Sequence, residues 1–491
     1  MSAAPPPSAP RPSSDAPPPT WARAIDLLCI LLLALTLVVA AGGGFRARPG
    51  GIRVALTSPY RLLVVALVLA VGRHLLWPAA PIFRDLPARA RAAWTTASAR
   101  SAWSALVGTR VVVLFVGYLA VVMFGYHKGA PPYRVSDNEV VNLQARWDTP
   151  WYLGIATSGY DVISDSPKDQ QNIVFFPAYP MLMRVTGRLM GGAPAAFMLG
   201  GTLVSLGAFF WALTFIYRTA RDMLGDDHRA RYAVWLLATY PFAWFYSAVY
   251  TESLFLLGAA GAFYHFRRSE FARAAVWGVL VGLTRPNGGF LSIPLAIVAV
   301  APWLPRWLVG GAPATELDAS HRSLRALAPA MASAAAPGIG VLLYSAYVWH
   351  LTGDPLAWAA GHAAWGREYR GLTVLVTDRY TWLTDEGIYA YTSQLPADLL
   401  NALAALFALG AAWPVSRRFG LAYGVFIVIN ILPPMAAGGM LSIGRVSAVL
   451  FPSFIWLAAV VPERHRSGWL TSFMAVQAFG AALFYTWREL Y

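Results

Sequence analysis

Long apolar runs constrain this chain more than any other feature, and Leu27 to Ala41, Ala195 to Tyr217 and Ala330 to Trp349 are the clearest of them. A membrane barrel would alternate in and out over segments of about ten residues, whereas these runs are continuous and longer. In hydrocarbon every backbone polar group needs an internal partner, which a helix supplies within one segment. Each run therefore reads as a transmembrane helix. The charge content agrees: 13% of the 491 residues are charged, against about 25% in a soluble domain. The expected fold class is an all-α polytopic integral membrane protein with about 11–13 transmembrane helices.

Apolar spans are expected near 25–43, 61–78, 103–125, 195–217, 230–248, 252–267, 271–284, 288–304, 330–350, 397–414, 419–436, 445–461 and 468–487. Residues 1–20, rich in Pro with Ala and Ser, read as a disordered cytoplasmic tail. The run from Leu27 follows a long, nearly uncharged stretch and is expected as an anchor helix, not a cleaved signal. Residues 21–102 form an appended hairpin and linker, and 103–491 the main bundle. Two loops, 126–194 and 351–396, far exceed the others, and long structured loops usually carry function.

The formal charge of +14 could suggest nucleic acid. The arginines, however, sit in short loops between apolar spans, the pattern that sets membrane topology. No nucleic-acid partner is expected; the bilayer is the partner. Arg218, Arg221, Arg229 and Arg231, then Arg267, Arg268 and Arg273, then Arg322 and Arg325, then Arg417 and Arg418, then Arg464 and Arg466 mark the cytoplasmic loops. By parity both long loops face outward, which places the site on the extracytoplasmic side of the plasma (inner) membrane. The connection 44–60, with Arg46, Arg48 and Arg53, runs against this count. The lone Cys29 excludes an intrachain disulfide.

The first long loop contains Gln144-Ala-Arg-Trp-Asp-Thr-Pro-Trp-Tyr-Leu-Gly-Ile-Ala-Thr-Ser-Gly-Tyr160. Asp148 followed by Pro150 predicts a helix start, with Asp148 as N-cap and Gly159 closing the helix. Trp151, Tyr152 and Ile155 give it an apolar face that would lie in the headgroup region. A similar piece follows at Phe175–Arg184. Ionisable groups then stand at outward helix ends: Glu252, Arg285 and Arg445. An ionisable residue at such a place is a functional candidate, because burial costs several kcal/mol unless it is paired. The alternatives are capping for Asp148, interfacial anchoring for Trp147, Trp151, Tyr152 and Tyr160, snorkelling for the arginines and ion pairing for Glu252.

A carboxylate, two guanidiniums and a wall of apolar helices suit a phosphate with a lipid tail. Arginine grips phosphate in bidentate fashion, and a carboxylate can take the proton of an attacking hydroxyl. The sequence has no G-x-x-x-x-G-K-[ST], no H-E-x-x-H and no D-x-D, and offers no long stretch for a soluble catalytic domain.

Arg146-Trp-Asp148 with Trp151-Tyr152 and Gly159-Tyr160, then Phe175-Phe-Pro-Ala-Tyr-Pro180, resembles the first outer loop of the PIG-V-like mannosyltransferases (the GPI mannosyltransferase II type). Tyr250-Thr-Glu-Ser253, Thr284-Arg-Pro-Asn-Gly288, Thr352-Gly-Asp-Pro355 and Ser442-Ile-Gly-Arg445 ahead of Phe451-Pro452 match further blocks in the same order. The chain departs from the pattern at Pro286 and Val446. The resemblance covers about residues 103–462. It implies a GT-C glycosyltransferase bundle with two structured extracytoplasmic loops, and a donor sugar carried on polyprenyl or dolichyl phosphate.

It also implies that Asp148 is the catalytic carboxylate. On this reading Arg285 and Arg445 hold the donor phosphate. Arg146, Trp147, Trp151, Tyr152, Glu252, Asn287, Asp354 and His362 contact the sugar or acceptor, or support those that do. Neither metal nor cofactor is required, and the acceptor is a glycolipid, a glycan or a protein hydroxyl. The rival readings are a transporter or lipid flippase, for which no internal repeat is found, and a non-catalytic assembly protein.

Overall fold

The computed structural model describes residues 19–42, 45–47, 54–56, 58–77, 91–92, 94–128, 133–162, 166, 168–305, 324–488 and 490. The expected tail at 1–20 lies almost wholly outside the described residues, as do Arg48, Arg53 and Arg322. The chain divides into two compact units, residues 1–96 and 97–491.

In the first unit, helices Thr20–Gly42 and Pro59–Leu76 pack against each other. A two-stranded antiparallel ribbon joins them, Phe45–Ala47 on Val54–Leu56, with Arg46 opposite Ala55. Asp26 and Arg73 are both buried in this pair of apolar helices and meet in a fork, at 2.9 Å (Nε to Oδ1) and 3.0 Å (Nη2 to Oδ2). Charges inside apolar helices persist when they are mutually paired.

The second unit is a helical bundle. Among the described residues eight helices are long and apolar enough to cross a membrane, Pro59–Leu76 in the first unit and the rest in the second. The latter are Ala97–Phe124, Pro194–Leu224, Pro286–Trp303, Leu327–Thr352, Pro396–Phe419, Leu421–Gly438 and Glu463–Tyr485. The chain is thus a polytopic all-α membrane protein, its short ribbon aside. Of the remaining expected spans, the one near 25–43 is helix Thr20–Gly42, and the other four are shorter helices, Asp227–Thr239, Glu252–Arg267, Phe271–Gly282 and Phe451–Val460.

Two expected spans are broken, each at a proline. The span near 230–248 stops as a helix at Thr239. Tyr240 is extended (ψ 140°) because Pro241 disfavours helical backbone before it. The chain resumes as a 3₁₀ turn, Ala243–Ser247. The carbonyls freed by this break are answered by polar side chains reaching in from two other helices. Arg110 donates to the Ala238 oxygen at 2.7 Å and to the Ala243 oxygen. Gln477 donates to the Ala238 and Tyr240 oxygens at 3.1 and 3.0 Å. Buried backbone acceptors require such partners. The span near 445–461 likewise splits, into Ile443–Ala448 and Phe451–Val460, with Pro452 in the first turn of the second.

Helices Phe271–Gly282 and Leu324–Thr352 approach so closely that a Cβ on Gly282 would lie 2.0 Å from the Pro337 carbonyl oxygen. Small residues permit such backbone contact between membrane helices. This crossing fixes the Thr284–Arg285 turn at the end of the bundle where both long loops gather.

Candidate functional site

The first long loop is built, not floppy. Helix Thr149–Thr157 starts with Asp148 at its N-cap and Pro150 in its first turn. Trp147, immediately before, holds a left-handed backbone (φ 52°). A non-glycine residue there costs on the order of 1–3 kcal/mol. Its indole holds it in place by donating to the Phe484 carbonyl at 3.3 Å and packing on Trp487 at 5.1 Å. Arg146 is buried and rivets the loop to the C-terminal helix. It donates to the carbonyls of Tyr485 at 2.7 Å and Asn142 at 2.6 Å. Both residues thus fix the turn from which Asp148 projects, and neither joins the ion cluster below.

The Asp148 carboxylate does not cap its own helix. Instead Arg445 Nη1 donates to its Oδ2 at 2.9 Å. Tyr250 Oη accepts the Asp148 backbone N–H at 3.0 Å, which fixes the carboxylate's backbone. Arg445 also donates from Nε to Glu252 Oε1, and Arg285 Nη2 donates to that same oxygen. Arg285 Nε reaches Thr251 Oγ1 at 2.5 Å. The order is therefore Asp148, Arg445, Glu252, Arg285: two carboxylates alternating with two guanidiniums. Side-chain exposure falls from 22% at Asp148 through 15% at Arg445 and 10% at Arg285 to none at Glu252. Asp148 is the more exposed of the two carboxylates.

Local sequence explains the convergence. Glu252 opens helix Glu252–Arg267 directly after the tight 248–251 turn. Arg285 is extended between helix Phe271–Gly282 and the 3₁₀ turn Pro286–Leu291, where its following proline keeps it. Arg445 lies in helix Ile443–Ala448, which Ser442 enters with left-handed backbone (φ 64°). Gly444 beside it packs face-on to Phe242, where a Cβ would lie 2.1 Å from the ring. The Arg445 guanidinium sits over the rings of Tyr250 (4.8 Å) and Phe245 (5.6 Å), a setting that strengthens its electrostatics.

The other expected residues divide. Tyr152 lines the floor, buried against Tyr250, Tyr179 and Phe175 at 6.1, 5.3 and 5.2 Å between ring centroids. Its burial pushes the phenol pKa well up. Trp151 stacks on Phe175 at 5.8 Å and meets Trp365 of the second long loop at 5.6 Å. Asn287 turns elsewhere, donating to Asn430 Oδ1 at 2.9 Å. Asp354 forms a local turn, accepting from the Leu356 N–H at 2.8 Å, and is exposed. His362 packs near Trp358 (6.4 Å), and its carbonyl accepts the Arg367 N–H at 3.3 Å. Burial, aided by the Arg367 charge, pushes the His362 pKa down to about 4. Among the described residues no group of three or more His, Cys, Asp or Glu side chains is placed to hold a metal ion.

The sequence reading missed Arg367, which the second long loop brings beside this cluster, and Arg110, which the bundle uses at the Pro241 break. Neither stands in a recognisable block. The one signal for Arg110 was a charge inside an apolar span.

Residues 129–300 match the family described as Mannosyltransferase (PIG-V). The resemblance read from the blocks is thereby shown over the stretch that supplies Asp148, Glu252 and Arg285, and it supports a membrane mannosyltransferase. Arg445 and Arg367 lie beyond that stretch. Comparison with curated proteins and with solved structures gives no match.

Proposed function

We propose that this chain, a membrane mannosyltransferase of the PIG-V type, moves a single mannose from a polyprenyl phosphate to an acceptor hydroxyl with inversion at the anomeric carbon. The observation that carries the reading is the Asp148–Arg445–Glu252–Arg285 cluster, with its one accessible carboxylate at the solvent end. The acceptor oxygen attacks the anomeric carbon and its proton passes to Asp148. The bond from that carbon to the phosphate oxygen breaks, and the electron pair leaves with the polyprenyl phosphate. Charge grows on the phosphate in the transition state, where fixed guanidiniums stabilise it. In this reading the Arg445 guanidinium, shared between Asp148 and Glu252, also reaches the phosphate.

In this reading the bundle is of the GT-C kind, multi-pass in the plasma membrane, with both long loops on the extracytoplasmic face. Nucleotide sugars are cytoplasmic, so the donor there is membrane-borne. No resident metal is needed, because a monophosphate can be neutralised by arginine. The acceptor is a glycolipid, a glycan or a protein hydroxyl.

The test uses purified full-length protein in lipid nanodiscs with polyprenyl-phosphate [¹⁴C]mannose and native lipid extract as the acceptor source. The reading expects label to move to a new product, EDTA to leave the rate unchanged, and GDP-mannose not to replace the lipid donor. Use of GDP-mannose, or transport of the lipid without any transfer, would overturn it.

A further inference from the structure

Arg285 and Arg445, the two arginines expected to grip the donor phosphate, are already committed. Glu252 Oε1 accepts from both, and Asp148 accepts from Arg445. Two guanidiniums and two carboxylates leave this cluster without net charge. A phosphate entering it would meet no excess of positive charge, and desolvation would oppose its entry.

A third guanidinium, that of Arg367, lies within electrostatic reach of Arg445, Asp148 and Arg285. Arg367 follows the 3₁₀ turn Gly361–Trp365, and Gly366 between them turns the chain through a left-handed conformation (φ 68°). The turn is clamped on both sides. Trp365 packs on Trp151 and Phe175 of the first long loop, at 5.6 and 5.8 Å. The Arg370 N–H donates to the Ala436 carbonyl at 2.9 Å. The guanidinium lies across the end of helix Leu421–Gly438, where a Cβ on Gly438 would be 3.1 Å from Nη1. That helix end leads directly into the turn that carries Arg445.

Among the described residues the Arg367 side chain has no hydrogen-bond or ion-pair partner. Its pKa is pushed down to about 10, by burial first and then by the Arg445 charge, with Asp148 opposing the fall. Arg367 is therefore still a cation at neutral pH, partly buried, with the Arg445 charge acting on it. Like charges held together in this way favour an anion between them.

We propose that Arg367 is the open phosphate-binding group of the site: it captures the phosphate of a polyprenyl monophosphate ester, and Arg445 then shares that phosphate. Arg285 is a strut that holds Glu252. The inference rests on the lipid-linked donor reading and adds the group that recognises the donor. A planar, permanently charged fork suits a phosphate near lipid better than an ammonium does.

The test is thermal stabilisation of nanodisc-embedded full-length protein by undecaprenyl monophosphate, the leaving group itself, for wild type, Arg367→Gln and Arg367→Lys. Expected are saturable stabilisation of wild type, at least a tenfold weaker apparent affinity for Arg367→Gln, and an intermediate value for Arg367→Lys. Without ligand, Arg367→Gln should melt at or above the wild-type temperature, because it removes a repulsion. A merely structural arginine would lower that temperature instead, and such a fall would count against the proposal. Equal affinity of wild type and Arg367→Gln would overturn the assignment while leaving the lipid-phosphate donor in place. Failure of wild type to bind the lipid would overturn the donor reading itself. Stabilisation by inorganic phosphate at the same concentrations would overturn the assignment to a lipid phosphate.

Discussion

Asp148 and Arg445, 297 positions apart in the chain, meet at 2.9 Å from Oδ2 to Nη1. The arginine leaves the second carboxylate oxygen open, and Asp148 is the most exposed member of its cluster. A base that must reach a substrate hydroxyl needs this asymmetry. Arg445 holds one oxygen of the carboxylate, and the side chain keeps 22% of its surface exposed.

Replacing Asp148 by Asn keeps the shape and an oxygen for Arg445, but removes the group proposed to take the proton. Transfer is expected to fall at least about a hundredfold, the scale of a lost general base. Binding of undecaprenyl phosphate should change by no more than a few-fold. Initial rates and ligand-induced stabilisation on the same preparation measure both. Undiminished transfer would reduce Asp148 to a structural residue at the start of its helix.

Glu252 is fully buried, and one of its oxygens accepts from both Arg285 and Arg445. Glu252→Gln leaves two guanidiniums facing each other with Asp148 alone to balance them. Removing one partner of a buried ion pair costs about 3–5 kcal/mol, so a lower melting temperature and a poor yield of monodisperse protein are expected. The double variant Glu252→Gln with Arg285→Met should recover much of that loss, because neighbours in one network are not additive. A double variant whose loss equals the sum of the losses of Glu252→Gln and Arg285→Met would show that the pair is not coupled.

Gly444 touches Phe242 where a Cβ would lie 2.1 Å from the ring. Gly444→Ala must therefore displace either that ring or the short helix that carries Arg445. No ionisable group changes, yet a shift of about 1 Å at a reacting centre can lower the rate by about a hundredfold. The expected outcome is a fall in kcat at nearly unchanged expression. Wild-type kcat in Gly444→Ala would mean that Arg445 is not held from this side.

Much of this arrangement was legible in the sequence, and the rest was not for identifiable reasons. Continuous apolar runs located the spans, with some ends displaced by six residues or more (Ala97 against 103, Leu224 against 217), and the two breaks fall where Pro241 and Pro452 stand. The blocks around Asp148, Glu252, Arg285 and Arg445 were visible because each sits at a helix end with its own turn residues. Ion pairing stood among the readings for Glu252, but that it would meet both arginines, Arg285 33 positions away and Arg445 193 positions away, was not legible. Asn287 and Asp354 sit in equally suggestive blocks but serve Asn430 and a local turn. Arg367 carries no local pattern at all. Its position follows from a glycine turn and from aromatic contacts between two loops, which no window of sequence contains.

His362 supplies the pH prediction. Burial and the Arg367 charge push its pKa to about 4, below the ordinary value of 6.5. Between those values the unfolded chain binds a proton that the folded chain refuses, so stability falls as the pH drops from 6.5 toward 4. Above 6.5 the imidazole is neutral in both states and contributes no slope. Wild type should therefore lose more melting temperature between pH 7.5 and pH 5 than His362→Asn does, with the two parallel above pH 7. With its pKa pushed down to about 4, His362 is not expected to shape the rate between pH 6 and 7, so the profile there should survive the substitution. An equal acid-induced loss in both proteins would mean that the imidazole is solvated and that the second long loop does not seal over it. That outcome would also weaken the clamp that holds Arg367, since the His362 carbonyl anchors the Arg367 backbone.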